Sequence, residues 1–343
     1  MLYAFQILDI LGKGAFGAVF RVRRLEDRKE LAMKCESCRT QRKILKHEAK
    51  VFESLKQLES PHFLHLLDRG KVSGRFNFIV IKLVGKNLWD LRIENPFRRF
   101  SLVTSLRAAE QTLAGIRDLH ICGFIHRDIK PPNFAVGREE DGDQHIIYIF
   151  DFGLSRQYRS FGKDLRYQRA KAAFRGTTRY ASIAALELVS PPKVFMYGSP
   201  PRHLAWGFQK DQSRKDDVES WWYMVVEWTI GHLPWHHCKG GERESVRKQK
   251  LQLRERSNLE RVLKNAPVEY MSNIILYIDT LSYASIPDYD HIAAQLEASM
   301  EAYNLKYADP PEWDTLSAYL GPKYEKNMPY ELKCRIFFPI SFS

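Results

Sequence analysis

Gly12-Lys13-Gly14-Ala15-Phe16-Gly17-Ala18-Val19 has the spacing GxGxxGxV. Glycines so placed let backbone amides approach a phosphate closely. The same spacing occurs in dinucleotide-binding turns and in plain glycine-rich hairpins. A dinucleotide fold would continue into a helix, whereas the β-rich run "AVFRVRRL" follows here, which favours a flap between two antiparallel strands. Lys34 stands in "LAMK", within a third apolar strand. A lysine there is costly unless paired, and Glu48 on the next helix is its natural partner. "HRDIKPPN" then sets out His126, Arg127, Asp128, Lys130 and Asn133, and "DFG" begins at Asp151. Asp128 can accept or orient the proton of an attacking hydroxyl. Lys130 can neutralise a phosphoryl group in transfer. Asn133 and Asp151 carry the hard oxygens that Mg²⁺ prefers.

These residues need elements to hold them. Residues 1–35 read as strands: "FQILDILG", "AVFRVRRL" and "ELAMKCE". Thr40 to Leu58 reads as a helix, with Ile44, Glu48, Val51, Phe52, Leu55 and Leu58 near one face. "RFNFIVIKLVG" is a further strand, and Gly85 to Leu88 a short connection. Beyond it the chain turns mostly helical. Ser101 caps a helix that Gly123 ends. "NFAVG" and "HIIYIF" are two short strands. "WWYMVVEWTI" carries one charge, Glu227, and reads as a helix buried at the centre of a lobe. Two amphipathic helices fit 267–281 and 288–303. The fold class is therefore α+β: strands with one helix, a hinge, then a helical lobe.

The chain has 343 residues, enough for one large domain or two lobes. No apolar run reaches the roughly 18 residues of a membrane span, and the N-terminus shows no signal-peptide pattern. The expected compartment is the cytoplasm or nucleus, and a monomer is the expected state. Cys35 and Cys38 form a CxxC without a second pair, so they read as reduced thiols rather than a zinc site. Net charge is +12. That balance suits nucleic acid, acidic membrane surfaces or acidic protein substrates.

Taken together, the motifs resemble those of the protein kinases over roughly residues 3–303, divided into an N-lobe of about 1–84 and a C-lobe of about 85–303. Residues 304–343 form a C-terminal extension. "HRDIKPPNFAVG", "DFGLSRQY" and "FRGTTRYASI" look like the casein kinase 1 group, with Ser182-Ile183-Ala184 where that group has S-I-N. "DLRYQRAKAAFRGT", "KPPNFAVG", "PDYDHI" and "PPEWD" are closest in style to its tau-tubulin kinase branch. The resemblance implies ATP and Mg²⁺, with Ser/Thr hydroxyls as acceptors. In this reading Gly12, Gly14 and Gly17 form the flap, and Lys34 with Glu48 holds the α- and β-phosphates. Leu11, Val19 and Ala32 line the pocket roof, and Ile81 is the gatekeeper. Backbone of Leu83 and Val84 meets the adenine, and Asp90 reaches the ribose. Asn133 and Asp151 ligate the metal. Thr177 bonds Asp128 and Lys130, and Asp217 braces the catalytic loop.

Eight basic residues lie between Arg156 and Arg179, opposed by Asp164 alone. A basic run beside the substrate cleft suits acidic or phosphorylated protein segments. It abuts a catalytic motif rather than interleaving with aromatics, which argues against nucleic acid as the partner. Arg175 and Arg179, with Arg247 and Lys248, are the expected substrate anion site. Arg127 is a candidate partner for a phosphate on the activation segment, for instance at Ser160. An insertion spans about 187–213 and carries Phe195, Tyr197, Trp206 and Phe208; it is either a selectivity flap or an inert surface loop. The apolar end "ELKCRIFFPISFS" is expected to pack on the lower lobe, and no accessory domain is expected after it. The rival function is a pseudokinase scaffold, which normally loses Lys34, Asp128, Asp151 or a flap glycine. All are present.

Overall fold

The computed structural model describes residues 4–14, 17–41, 43–159, 168, 172–189 and 208–329. Five strands form one antiparallel sheet in the order β1-β2-β3-β5-β4. They are β1 (Phe5–Gly14), β2 (Gly17–Arg24), β3 (Glu30–Ser37), β4 (Leu66–Val72) and β5 (Phe76–Lys82). Lys34 pairs with Val19 on one side and Ile79 on the other, so its backbone is fixed from both edges. Helix α1 (Ile44–Leu55) follows β3. It begins at Ile44 rather than Thr40, and the physical reason is a side-chain cap: buried Glu36 Oε1 accepts the Ile44 N–H at 2.7 Å and the Leu45 N–H at 3.1 Å. Two orphan amides of the first turn are thereby satisfied.

Leu83 to Asn87 connects the two lobes. Leu88, expected in that connection, instead opens α2 (Leu88–Glu94), whose cap is Asn87 Oδ1 accepting the Asp90 N–H at 2.9 Å. Helix α3 (Leu102–Ile121) starts at its Ser101 cap, and Gly123 sits just beyond it at φ +84°. Short strands β6 (Phe124–Ile125), β7 (Phe134–Val136), β8 (Ile147–Ile149) and β9 (Arg156–Gln157) pair as β6 with β9 and β7 with β8. Helix α4 (Ile183–Leu186) leads to β10 (Leu188–Val189), which pairs with β11 (Phe208–Gln209). Both ends of the inserted segment therefore meet. Phe195, Tyr197 and Trp206 lie outside the described residues.

Helix α5 (Arg214–Ile230) is the axis of the lower lobe. Trp221, Trp222, Tyr223 and Trp228 are fully buried in it. Each aromatic of this size removes on the order of 150–250 Å² from water, and the indole N–H groups of Trp221 and Trp222 find Thr112 Oγ1 at 3.0 Å and the Met271 carbonyl at 2.9 Å. Helices α6 (Arg243–Gln252), α7 (Arg256–Leu263), α8 (Val268–Thr280) and α9 (Tyr289–Ala302) complete the lobe. The two predicted at 267–281 and 288–303 are α8 and α9. β4, α6 and α7 carry mixed polar sequence and have no counterpart in the sequence reading.

The extension after α9 packs as part of this lobe through residue 327, whose N–H donates to Asp290 of α9 at 2.8 Å. Arg107 donates to the Lys306 carbonyl at 3.1 Å, Trp313 to the Gln144 carbonyl at 3.2 Å, and Tyr324 to Asp290 at 2.9 Å. "ELKCRIFFPISFS" lies outside the described residues. Among the described residues no helix is long and apolar enough to cross a membrane. Cys35 and Cys38 are free, burial pushes the Cys35 thiol up to about 11, and no metal-holding group of His, Cys, Asp or Glu is present among the described residues.

Candidate active site

A cleft of about 940 Å³ opens between the lobes. The flap residues Gly12, Gly14 and Gly17 line it from above. Gly17 is required by packing alone, because a Cβ there would lie 1.8 Å from the Cys35 carbonyl oxygen of β3. Gly12 and Gly14 meet nothing within 4 Å, so the fold itself does not call for glycine at either. Leu11, Val19 and Ala32 form apolar wall, Ile81, Leu83 and Val84 the back, and Asp90 the outer rim. One Asp90 oxygen already accepts the Asn87 amide at 2.7 Å. Ala135 and Phe150 also line the cleft, and neither was anticipated. Ala135 follows Asn133 by two residues in β7; its small size was the one available signal.

Lys34 enters the cleft from β3. Its Nζ lies 2.7 Å from Glu48 Oε2 and 2.9 Å from Asp151 Oδ1. Glu48 is 1 % exposed, on the inner face of α1. Phe52, one turn further along α1, packs edge-on against Phe152 at 5.2 Å, which couples the helix to the Asp151 turn. Burial opposes the Lys34 ammonium, yet the two carboxylates outweigh it and hold its pKa well above the ordinary lysine value. Burial likewise pushes Asp151 up, but Lys34 prevails and keeps it below the usual carboxylate range. Asp151 has φ +63°, a left-handed conformation that costs a non-glycine residue on the order of 1 kcal/mol. That conformation turns the carboxylate toward Lys34.

Beneath this pair, Asp128, Lys130 and Thr177 form a closed set. Lys130 Nζ lies 2.7 Å from Asp128 Oδ2, the Thr177 hydroxyl donates to Asp128 Oδ1 at 2.8 Å, and Lys130 donates to Thr177 Oγ1 at 3.2 Å. Asn133 donates its amide to the Asp128 carbonyl at 2.8 Å, which leaves the harder Oδ1 for another partner. Gly176, at φ +112°, passes so close to Arg127 that a Cβ would meet its carbonyl oxygen at 2.5 Å.

The segment that carries Asp128 is braced from below. Buried Asp217 accepts the His126 N–H at 2.6 Å and the Arg127 N–H at 2.8 Å. His120 of α3 bonds the same carboxylate at 3.0 Å, and Tyr289 of α9 bonds the other nitrogen of that ring at 2.6 Å. Burial raises Asp217, and the His120 and backbone donors reverse this and hold it ionised.

The four expected anion-binding cations are not left free together. Arg179 turns inward: it donates to Glu227 Oε1 at 3.0 Å and to the His236 carbonyl at 3.2 Å. Glu227 is 1 % exposed, so its charge demands a partner, and Arg179 supplies it. Arg247 lies 3.4 Å from Glu244 on its own helix, Lys248 is exposed, and Arg175 is half-buried. Arg127 donates through Nε to the Leu154 carbonyl at 2.7 Å. Arg156 pairs with Asp211. Ser160, Lys163, Asp164, Arg166, Arg169 and Lys171 lie outside the described residues. Lys250, two residues past the expected Lys248, is fully buried instead; it donates to the Ala181 carbonyl and rests 4.2 Å from the Tyr223 ring. Burial holds its pKa well below that of an ordinary lysine.

The protein kinase domain family matches residues 5–274 of this chain. The chain belongs to the protein kinase family. This kinase chain is 29 % identical over 308 residues to a Dictyostelium discoideum protein named as a probable serine/threonine-protein kinase. It is 28 % identical over 317 residues to the serine/threonine-protein kinase spe-6 of Caenorhabditis elegans. The alignments cover 90 % and 91 % of this kinase chain, but 56 % and 76 % of those relatives. The first relative is thus substantially longer than the matched part.

Proposed function

We propose that this chain transfers the γ-phosphoryl group of ATP to serine or threonine hydroxyls of proteins. One observation carries the reading: Lys34, Glu48 and Asp151 are assembled at bonding distance in the cleft, while Asp128, Lys130 and Thr177 bond one another and are tied to it through Asn133, which lines the cleft and donates to the Asp128 carbonyl. All twelve residues expected to hold the nucleotide line that cleft. The residues fit Mg²⁺–ATP chemically. Lys34 is a fixed cation, Asp151 a fixed anion, and Asn133 offers a hard oxygen. Mg²⁺–ATP supplies the transferable phosphoryl group and neutralises its charge. Lys34 and the flap amides would hold phosphate oxygens, and Asp151 and Asn133 would hold the metal. Asp128 takes the proton of the acceptor hydroxyl at a carboxylate oxygen. Lys130 offsets the charge that builds on the transferring group, while Thr177 keeps both side chains in register.

The motif spellings and the Ser182-Ile183-Ala184 segment support placement in the casein kinase 1 group near the tau-tubulin kinase branch. Ser182 caps α4 through the Ala185 N–H at 3.0 Å and bonds Asp216, tying the end of the activation segment to α5. Preference for acidic or phosphorylated substrates is the finer part of the proposal, with the chain acting in the cytoplasm or nucleus. Arg175, Arg247 and Lys248 carry this role in the reading, and Arg179 joins them only where a substrate anion displaces Glu227, which keeps its bond from the Tyr180 hydroxyl.

Labelled phosphate transfer to casein with Mg²⁺ tests the enzyme reading against an Asp151→Asn control. Wild type labels casein and the control does not; equal labelling would sink the reading and favour a pseudokinase. A degenerate peptide library with and without fixed phosphoserine tests the substrate class. Equal rates on basic and acidic peptides would remove it.

A further inference from the structure

Behind the hinge lies a second cavity of about 930 Å³, which adjoins the cleft just described and shares Leu11, Leu83, Val84, Gly85 and Lys86 with it. Its walls come from β1 and β2 of the upper lobe, from the hinge, from α2, from the β7–β8 connection and from residues 312–317 of the C-terminal extension. A smaller cavity of about 390 Å³ continues it along α2, sharing Leu91, Glu94, Glu312, Trp313 and Thr315. Together they form one groove whose far wall exists only because the extension packs there.

The groove differs in charge from the rest of the molecule. Asp9, Glu94, Glu139, Glu140, Glu312 and Asp314 line the larger cavity. Three cations oppose them, and each is already paired within the groove: Arg21 with Asp9, Lys86 with Glu94 at 2.8 Å, and Arg138 with Glu140 at 3.3 Å. A formal acidic surplus of three therefore lines the groove of a chain of net +12, with Asp314 bonded by His145 Nε2 at 3.0 Å and Glu312 accepting the Ser101 N–H. The groove is also apolar in places. Leu83, Val84, Leu91 and Trp313 line it, and Leu316 on its edge is 98 % exposed. Leu316 thus extends the apolar lining of Leu91 and Trp313 to the rim of a concave surface.

We propose that this groove docks a linear segment of another protein in which Lys or Arg stands beside Leu or Ile. Charge complementarity selects the cations of that segment, and Leu91, Trp313 and Leu316 take its aliphatic side chains. The occupant is distinct in sign from what the activation segment would attract, so one molecule reads two features of its partner at two places. The proposal concerns binding and does not depend on phosphoryl transfer.

An array of short peptides pairing Arg or Lys with Leu or Ile, beside acidic counterparts, is probed with the fluorescently labelled chain. The strongest sequences are then measured by fluorescence anisotropy. Basic–aliphatic peptides bind, and binding weakens as salt rises. Glu139 and Glu140 are exposed on the β7–β8 connection, so the double variant Glu139→Lys/Glu140→Lys leaves the fold intact and lowers affinity about tenfold or more. Leu316→Ser lowers it as well, and both variants keep wild-type turnover on peptides that lack the motif. Failure of every basic–aliphatic peptide to bind overturns the proposal, as does equal binding by the charge-reversed chain. A chain shortened to residue 329 that binds where the full chain does not assigns the groove to the protein's own C-terminus and equally overturns it.

Discussion

The Thr177 hydroxyl decides the direction of two hydrogen bonds at once. It gives its proton to Asp128 and therefore must receive from Lys130. Removing it leaves an aspartate and a lysine in direct contact but without the group that fixes their mutual angle. Thr177→Ala is expected to lower kcat on the order of tenfold to a hundredfold, the usual cost of a small misplacement of reacting groups, with KM for ATP unchanged. Thr177→Ser restores most of the rate; a serine variant as slow as alanine would show that the methyl, not the hydroxyl, matters. That these residues meet was legible in the sequence because their motifs have a narrow spacing, and the structure brings them to bonding distance. The partners of Arg179 were not. Glu227 lies 48 residues away, and nothing in either segment says that they face each other. Lys250 was missed for a similar reason: in "VRKQK" three cations stand close together, and only the phase of α6 decides which one is buried.

At the scale of elements, the start of α5 and the back of α3 each carry a consequence. The Asp216 carboxyl lies buried at the first turn of α5, and burial pushes it up to about 6, against the bonds from Ser182 and Ser213 that favour the ionised form. A raised carboxyl binds its proton more readily in the folded chain than in the unfolded one. Its ionisation therefore costs stability as pH rises from 3.8 to about 6, by up to ~3 kcal/mol. Asp216→Asn carries no such ionisation, so its stability relative to wild type should rise through that window. Thermal unfolding of both chains across the range checks this, and parallel curves would refute it. On α3, Arg107, Gln111 and Arg117 are at most 3 % exposed. They are polar residues on what looks like a wet face, and the extension is what covers them. Tyr319 stacks 4.4 Å from the Arg107 guanidinium and its hydroxyl bonds Gln111. Tyr319→Ala should cost about 3 kcal/mol of stability, as for other buried aromatics, and truncation after residue 303 should cost more, both read from urea midpoints. The boundary at 303 was drawn where helical periodicity stops. The extension has no period of its own, so its attachment could not be read from sequence.

The molecule as a whole is two lobes joined by more than a hinge. The Ile149 N–H of β8 bonds the His62 carbonyl at 3.0 Å, and His62 Nδ1 bonds the Ile147 carbonyl at 2.9 Å, so the segment before β4 is stitched to the lower lobe. At the hinge, the Gly85 N–H donates to the Val136 carbonyl at 2.8 Å. Lys82, the last residue of β5, forms an ion pair with Asp143 in the β7–β8 connection and lies 3.6 Å from Asp141. Asp143 is 8 % exposed and also accepts the Tyr148 hydroxyl. Burial pushes its carboxyl up, but Lys82 and Tyr148 outweigh this and hold it below the ordinary aspartate value. That clasp adds stability above pH 3.8 and loses it as the carboxylate is protonated below. Lys82→Met removes the cation and leaves a nearly buried anion with one fewer partner. The expected cost is about 2 kcal/mol, less than for a fully buried pair because Lys82 keeps a quarter of its side chain in water. Asp143→Ala removes the other side. If the clasp joins the lobes as a pair, the double variant is less destabilised than the two single losses predict, by about 1–2 kcal/mol in urea unfolding. Strict additivity would mean that Gly85 and His62 carry the junction without it.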